Sequence, residues 1–152
     1  MHVVLVNPEI PGNTGSAGRS CLASGARLHL VKPLGFSLDE ARVRRAGLDY
    51  WPHVDLRVHE DWQALERDLP AVAQGLFFSR HARRSFLDEP PLPPEPVFVF
   101  GNESKGLPAA VRAAHLERSY SLPILSPHVR SLNLANTVTT VLYEGLRRLG
   151  VR

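Results

Sequence analysis

The chain has 152 residues, a hydrophobic fraction of 43%, a charged fraction of 22% and a net charge of +3. These are globular values, they exclude a disordered or fibrous chain, and they predict one domain over residues 1–152 that buries its own core. No apolar run approaches the roughly 20 residues of a membrane-spanning helix, and the opening MHVVLVN lacks the basic flank of a signal peptide.

In chain order, apolar runs predict strands at His2–Asn7, Arg27–Val31, Val54–Val58, Leu76–Ser79, Val97–Phe100 and Tyr120–Pro123. Helices are expected between them at Thr14–Ser24, Leu38–Ala46, Glu60–Leu69, Ala109–Leu116 and Leu134–Leu149. Ser37 and Glu40 form a capping-box pattern at the second helix. The last helix repeats Leu134, Val138, Val141, Leu142, Gly145 and Leu149 at helical spacing and ends in Arg147 and Arg148, which suit a helix C-terminus. The proline-rich DEPPLPPEP at 88–96 is expected to be a stiff, exposed connector. Strands separated by helices imply an α/β fold with a largely parallel sheet covered on both faces. Ligands of such sheets bind beyond the carboxyl ends of the strands.

A single cysteine, Cys21, rules out an internal disulfide and predicts a reducing, cytoplasmic setting with the thiol buried as a small hydrophobe. Seven histidines show neither HExxH nor Cys-His spacing, so no metal is expected. Gly12, Gly15 and Gly18 are spaced G-x-x-G-x-x-G and do not reproduce the dinucleotide turn. GNESKGL places Lys105 before its second glycine and is no P-loop.

Asparagine is distributed unevenly. All five copies, at 7, 13, 102, 133 and 136, fall in three polar segments, each after an apolar run. Those segments supply amides, hydroxyls, Arg19 and Glu103, a set suited to hydrogen-bonded recognition. Each has a plain structural role to weigh as well: Arg19 as a solvated helix arginine, Glu103 as cap of the helix starting near Leu107, Ser131 as N-cap of the last helix. Arginine outnumbers lysine sixteen to two. The clusters Arg42, Arg44 and Arg45, and Arg80, Arg83 and Arg84, make a nucleic-acid backbone a candidate partner.

Together these segments resemble the SPOUT class of RNA methyltransferases, in the branch that methylates ribose 2′-hydroxyls. The first motif is Asn13-Thr14-Gly15 followed by Arg19. The second runs from Phe100 to Pro108 as FGNESKGLP. The third is Leu122-Pro123-Ile124 followed by Arg130-Ser131-Leu132-Asn133-Leu134-Ala135-Asn136. The stretches NPEIP (7–11) and RRAGLDY (44–50) look like the small single-domain subgroup acting on the wobble nucleotide, position 34, of tRNA. Asn102 and Lys105 depart from that subgroup, where Pro and Arg are expected. Gly-Asn-Glu is closer to the wider ribose-methylating family, so another tRNA or rRNA target stays open beside the wobble position. A non-catalytic RNA-binding module with this fold is the alternative from another class.

The resemblance implies a C-terminal deep trefoil knot and the cofactor S-adenosylmethionine, with Ser79, Gly101, Leu122, Ile124 and Ser131 around it. It implies a homodimer whose active site borrows an arginine from the partner chain, and Asn13, Arg19, Glu103, Ser131 and Asn133 as catalytic groups. Arg19's counterpart is described in the family as a base. A guanidinium stays protonated, so Arg19 is read here as a phosphate clamp that stabilises developing charge on the ribose oxygen. Without a separate RNA-binding domain, an anticodon loop is expected to dock on the fold itself. Arg42, Arg44, Arg45, Arg80, Arg83 and Arg84 would form the backbone track, and Tyr50 or Trp51 would stack on a base.

Overall fold

A computed structural model describes residues 1–39 and 49–151. The expected helix at 38–46, the Ser37–Glu40 cap, and Arg42, Arg44 and Arg45 fall wholly or in part outside these. In chain order the described elements are β1 (His2–Val6), α1 (Pro11–Ser24), β2 (Arg27–Val31), β3 (Leu56–His59), α2 (Trp62–Asp68) and β4 (Leu76–Phe78). They continue with β5 (Arg84–Ser85), β6 (Val97–Phe100), α3 (Ala109–Ala114), β7 (Ser119–Ser121) and α4 (Leu134–Arg148).

Among the described residues the sheet has seven strands in the order β3-β2-β1-β6-β4-β7-β5, and every pairing is parallel. β2 and β6 match the expected bounds. β3 begins two residues later than expected, because Trp51–His53 makes a 3-10 turn ahead of it. β5 has only two residues and no apolar alternation, so the sequence carried no sign of it.

The middle of the sheet is buried on both faces, which is why β1, β4 and β6 are almost continuously apolar rather than alternating. Val3, Leu5, Leu28, Leu30, Phe98 and Phe100 pack under α1 and α4, against Ala17, Cys21, Val138, Val141 and Leu142. Val4, Val6, Val31, Phe77, Val97 and Val99 pack on the other side, against Leu65 and Leu69 of the α2 segment and Leu107 and Val111 at α3. Burial pushes the Cys21 thiol up to about 12, which leaves it protonated and inert.

Two parallel strands at the centre, β1 and β6, feed chain to opposite sides of the sheet. The segments after β1, β4, β6 and β7 therefore meet above the carboxyl edge, where an open α/β sheet offers a crevice. Close backbone contact fixes this edge. A Cβ on Gly101 would lie 2.0 Å from the carbonyl carbon of Gly106 and 2.1 Å from the nitrogen of Leu107. Asn102 and Gly106 bond each other's main chain in both directions, at 3.2 and 3.0 Å. Gly106 completes the turn at φ +74°, a conformation in which side chains are strained.

Candidate active site

A cavity of about 390 Å³ opens at this edge, within the roughly 300–1,000 Å³ typical of small-molecule sites. Its floor is apolar, formed by Phe78, Phe100, Leu107, Leu122 and Ile124, while Ser79, Asn13, Glu103, Ser131 and Asn133 stand around its mouth.

At the mouth one hydrogen-bonded network joins all three motifs. Glu103 accepts from the main-chain nitrogens of Glu9 (2.8 Å) and Ile10 (3.1 Å) and from Nδ2 of Asn13 (3.1 Å). Asn13 Oδ1 in turn accepts from Nδ2 of Asn133 (2.9 Å). Asn133 Oδ1 accepts from the nitrogen of Asn136 (3.2 Å), so Asn133 is also the N-cap of α4. A second link ties the same loops: Glu9 accepts from the nitrogen (3.1 Å) and the hydroxyl (2.8 Å) of Ser104. Amides suit the middle of such a chain because each both donates and accepts. The carboxylate suits its end, where three N–H groups converge beside the positive N-terminus of α1.

Two readings of local structure are thereby corrected. Glu103 does not cap the helix after Leu107; it holds the start of α1, and Pro108 opens α3 without a side-chain cap. Ser131 does not cap the last helix, since Asn133 does so two residues later and leaves the Ser131 hydroxyl exposed. Ser131 and Asn133 both line the cavity.

Arg19 lies elsewhere. It is exposed on α1, does not line the cavity of its own chain, and places its guanidinium carbon 5.1 Å from the centre of the Tyr50 ring. The Tyr50 hydroxyl donates to the carbonyl of Gly15 at 2.9 Å. Trp51 packs into the core against α1, where a Cβ on Gly18 would meet its ring at 2.6 Å. Both aromatic rings expected to stack on a base are thus engaged within the fold.

The arginines expected along the RNA track differ in their surroundings. Arg80 lines the cavity and donates from Nε to His81 at 3.1 Å, and Arg83 is exposed. Arg84 is held by the carboxylate (2.9 Å) and carbonyl (2.7 Å) of Glu117. Two further cations line the cavity: Lys105, which the sequence placed in the second motif without a site role, and Arg112, which sequence reasoning missed. Arg112 carried no signal because it sits in an alanine-rich helix with no motif around it.

The cavity suits a nucleoside carrying a charged tail. An apolar floor can take an adenine ring, and the Gly101–Leu107 turn, with no room for a Cβ at Gly101, leaves main-chain groups to read its edge.

Relatives agree with this architecture. The SpoU rRNA methylase family matches residues 1–143. A tRNA (cytidine(34)-2'-O)-methyltransferase of Burkholderia ambifaria is 46% identical over 151 residues, covering 98% of this chain and 96% of that protein. A structure giving "structural insights into the 2-OH methylation of C/U34 on tRNA" superposes with a TM-score of 0.85 at 44% identity, covering 99% of this chain and 97% of the other. The SpoU methyltransferase AviRb of Streptomyces viridochromogenes, in complex with its cofactor AdoMet, superposes with a TM-score of 0.78 at 26% identity, over 97% of this chain and 57% of that one. With its three motifs joined at the carboxyl edge of a parallel sheet and a family match over nearly its full length, the chain belongs to the SpoU rRNA methylase family.

Proposed function

We propose that this protein methylates the ribose 2′-hydroxyl of the wobble nucleotide, cytidine or uridine 34, in tRNA, with S-adenosylmethionine as methyl donor. The observation that carries the reading is the Glu103–Asn13–Asn133 network at the mouth of a nucleoside-sized cavity. Relatives named for cytidine-34 methylation, similar over almost the whole chain, support the target. The AdoMet-bound relative supports the cofactor.

In this reading Leu122 and Ile124 enclose the adenine, Gly101 keeps the second-motif loop close, and Ser79 and Ser131 supply hydroxyls at the rim. The cofactor, when bound, supplies a methyl group already activated on a sulfonium. What remains for the protein is to orient the ribose and let the hydroxyl proton leave. Asn13 and Asn133 hold their amides in fixed orientations through each other and Glu103, so ribose hydroxyls meet groups that need no reordering. The ribose hydroxyl proton would leave to water or to a phosphate oxygen, and a guanidinium from Arg19 would stabilise the charge that develops on that oxygen.

Arg19 is exposed and absent from the lining of its own cavity, which favours its delivery from a partner chain in a homodimer. Leu125 at 95% exposure, together with Val129 and Leu132, makes the 122–133 loop an apolar surface that a second chain would cover. A trefoil knot belongs to the same proposal. The sheet order sets β6 between β1 and β4, and β7 between β4 and β5, as threading of the last third of the chain would require.

The test is methylation of unmodified tRNA by the purified protein, followed by mass spectrometry of nuclease fragments. A single 2′-O-methyl group at nucleotide 34, abolished by a 2′-deoxy substitution there, is expected. A methyl group at another position would replace the wobble assignment. Failure to bind S-adenosylmethionine would leave the non-catalytic RNA-binding module.

A further inference from the structure

A second cleft adjoins the cavity on the far side of the 102–106 loop. Asn7, Pro108 and Ala109 line it alone, and it shares Asn102, Lys105, Gly106, Leu107 and Arg112 with the first. Lys105 and Arg112 therefore stand on the wall between the two. Among the described residues no acidic one lines the second cleft.

Both cations have their hydrogen-bonding capacity uncommitted. Among the described residues, neither side chain donates to a protein acceptor, although Arg112 is half-buried and carries five N–H donors. Other cations of the fold differ: Arg84 is spent on Glu117, Arg118 on Gln74, Arg147 on Glu144 and Lys32 on Glu60. The carboxylate of the first cavity, Glu103, is taken up by Glu9, Ile10 and Asn13, so a partly buried guanidinium here is poorly compensated until an anion arrives.

The turn presenting Lys105 is rigid. Asn102 Oδ1 accepts from the Lys105 nitrogen at 2.8 Å, and the loop is closed by the paired Asn102–Gly106 main-chain bonds. On the opposite lip Asn7 is pinned at φ +52° by its Nδ2 bond to the carbonyl of Val31. The cleft thus has fixed walls and two free cations at one end.

We propose that Lys105 and Arg112 form a phosphate-binding subsite that grips the RNA backbone next to the target nucleotide while the target ribose sits at the cavity mouth. The inference rests on the methyltransferase reading above and extends it by assigning a substrate-positioning contact. Arg112 offers a planar fork and Lys105 a point charge, and two such donors fit adjacent non-bridging oxygens of a phosphodiester. A single-stranded loop suits the cleft better than a duplex, because its backbone can bend into a crevice while its bases splay.

The experiment measures tRNA binding against salt concentration, methyl transfer at saturating and limiting tRNA, and S-adenosylmethionine affinity, for wild type, Lys105→Ala and Arg112→Ala. Arg67→Ala, which removes an exposed cation on α2, controls for net charge. Each cleft variant should raise the KM for tRNA about tenfold and flatten the slope of log K against log salt by about 0.7, with kcat and cofactor affinity retained. Arg112→Lys should recover part of the binding, and Arg67→Ala should match wild type. Unchanged salt slopes in both cleft variants would overturn the subsite. Loss of S-adenosylmethionine affinity with the slope retained would overturn it too, and would reassign the pair to the cofactor's carboxylate. If wild type binds tRNA with the expected slope but transfers no methyl group, the parent reading fails instead.

Discussion

At the scale of single residues, the site depends on groups whose hydrogen bonds leave them little freedom. Glu103 takes three N–H donors, two of them from the main chain ahead of α1. Glu103→Gln keeps the shape but removes the charge and turns one acceptor into a donor that faces N–H groups. The change should cost about 1–3 kcal/mol of stability, as for a lost charge-assisted bond, and should lower kcat through misplacement of Asn13. Urea unfolding and single-turnover methylation read the two effects separately, and an unaltered midpoint would show that Glu103 is not a tether. Gly101 is stricter. Its missing Cβ is what lets the 106–107 backbone approach, so Gly101→Ala must displace the loop. Binding of S-adenosylmethionine to that variant, followed by calorimetry, should be lost or weakened at least a hundredfold, about 2.7 kcal/mol. Wild-type affinity would show that the loop does not shape the cofactor cavity.

Among the elements, β1, β2 and β3 carry a row of histidines outside the active site. His2 Nδ1 lies 3.0 Å from His29 Nε2, His29 Nδ1 lies 2.9 Å from His59 Nε2, and His59 Nδ1 lies 3.1 Å from Asp68 Oδ2. A proton on every Nδ1 lets each ring donate along the row toward the Asp68 carboxyl, so every bond has one donor and one acceptor. His29 has its pKa lowered to about 3, first by burial and then by repulsion from His2, His59 and Arg27, against a smaller attraction from Asp55. Its folded value lies below its unfolded one, so the unfolded chain binds the extra proton. Stability is therefore full above about pH 6.5 and falls toward pH 3, by at most about 1.4 kcal/mol per pH unit for this group. His2 shifts the same way, chiefly by burial. Equilibrium unfolding at pH 7.5 and pH 5 should show the loss, and His29→Gln, which keeps a donor and an acceptor but cannot titrate, should reduce it. An equal loss in that variant would clear His29. Nothing in the sequence foretold the row, because its members lie 27 and 30 residues apart and meet only through strand pairing. Elements with strong local pattern were legible: β2, β6 and the amphipathic α4. Two-residue β5 and the turn that delays β3 depend on tertiary contacts and were not.

For the whole molecule, the three motifs could be read in the sequence because each follows a strand, and parallel strands bring their carboxyl ends together. Their mutual bonds could not: that Asn13 joins Glu103 on one side and Asn133 on the other required loops 90 and 120 residues apart to be set side by side. The position of Arg19 carries a consequence for assembly. If its guanidinium serves the partner's cavity, a chain lacking Arg19 still offers an intact cavity, and a chain lacking Asn133 still offers an intact arginine. Arg19→Ala and Asn133→Ala should each be inactive alone. Mixed and refolded in equal amounts, they should regain about one quarter of wild-type activity, since half the dimers are then mixed and each holds one complete site. Mixed dimers confirmed by native mass spectrometry, yet without methylation, would place Arg19 in the service of its own chain and leave its separation from the cavity to be closed by movement of α1.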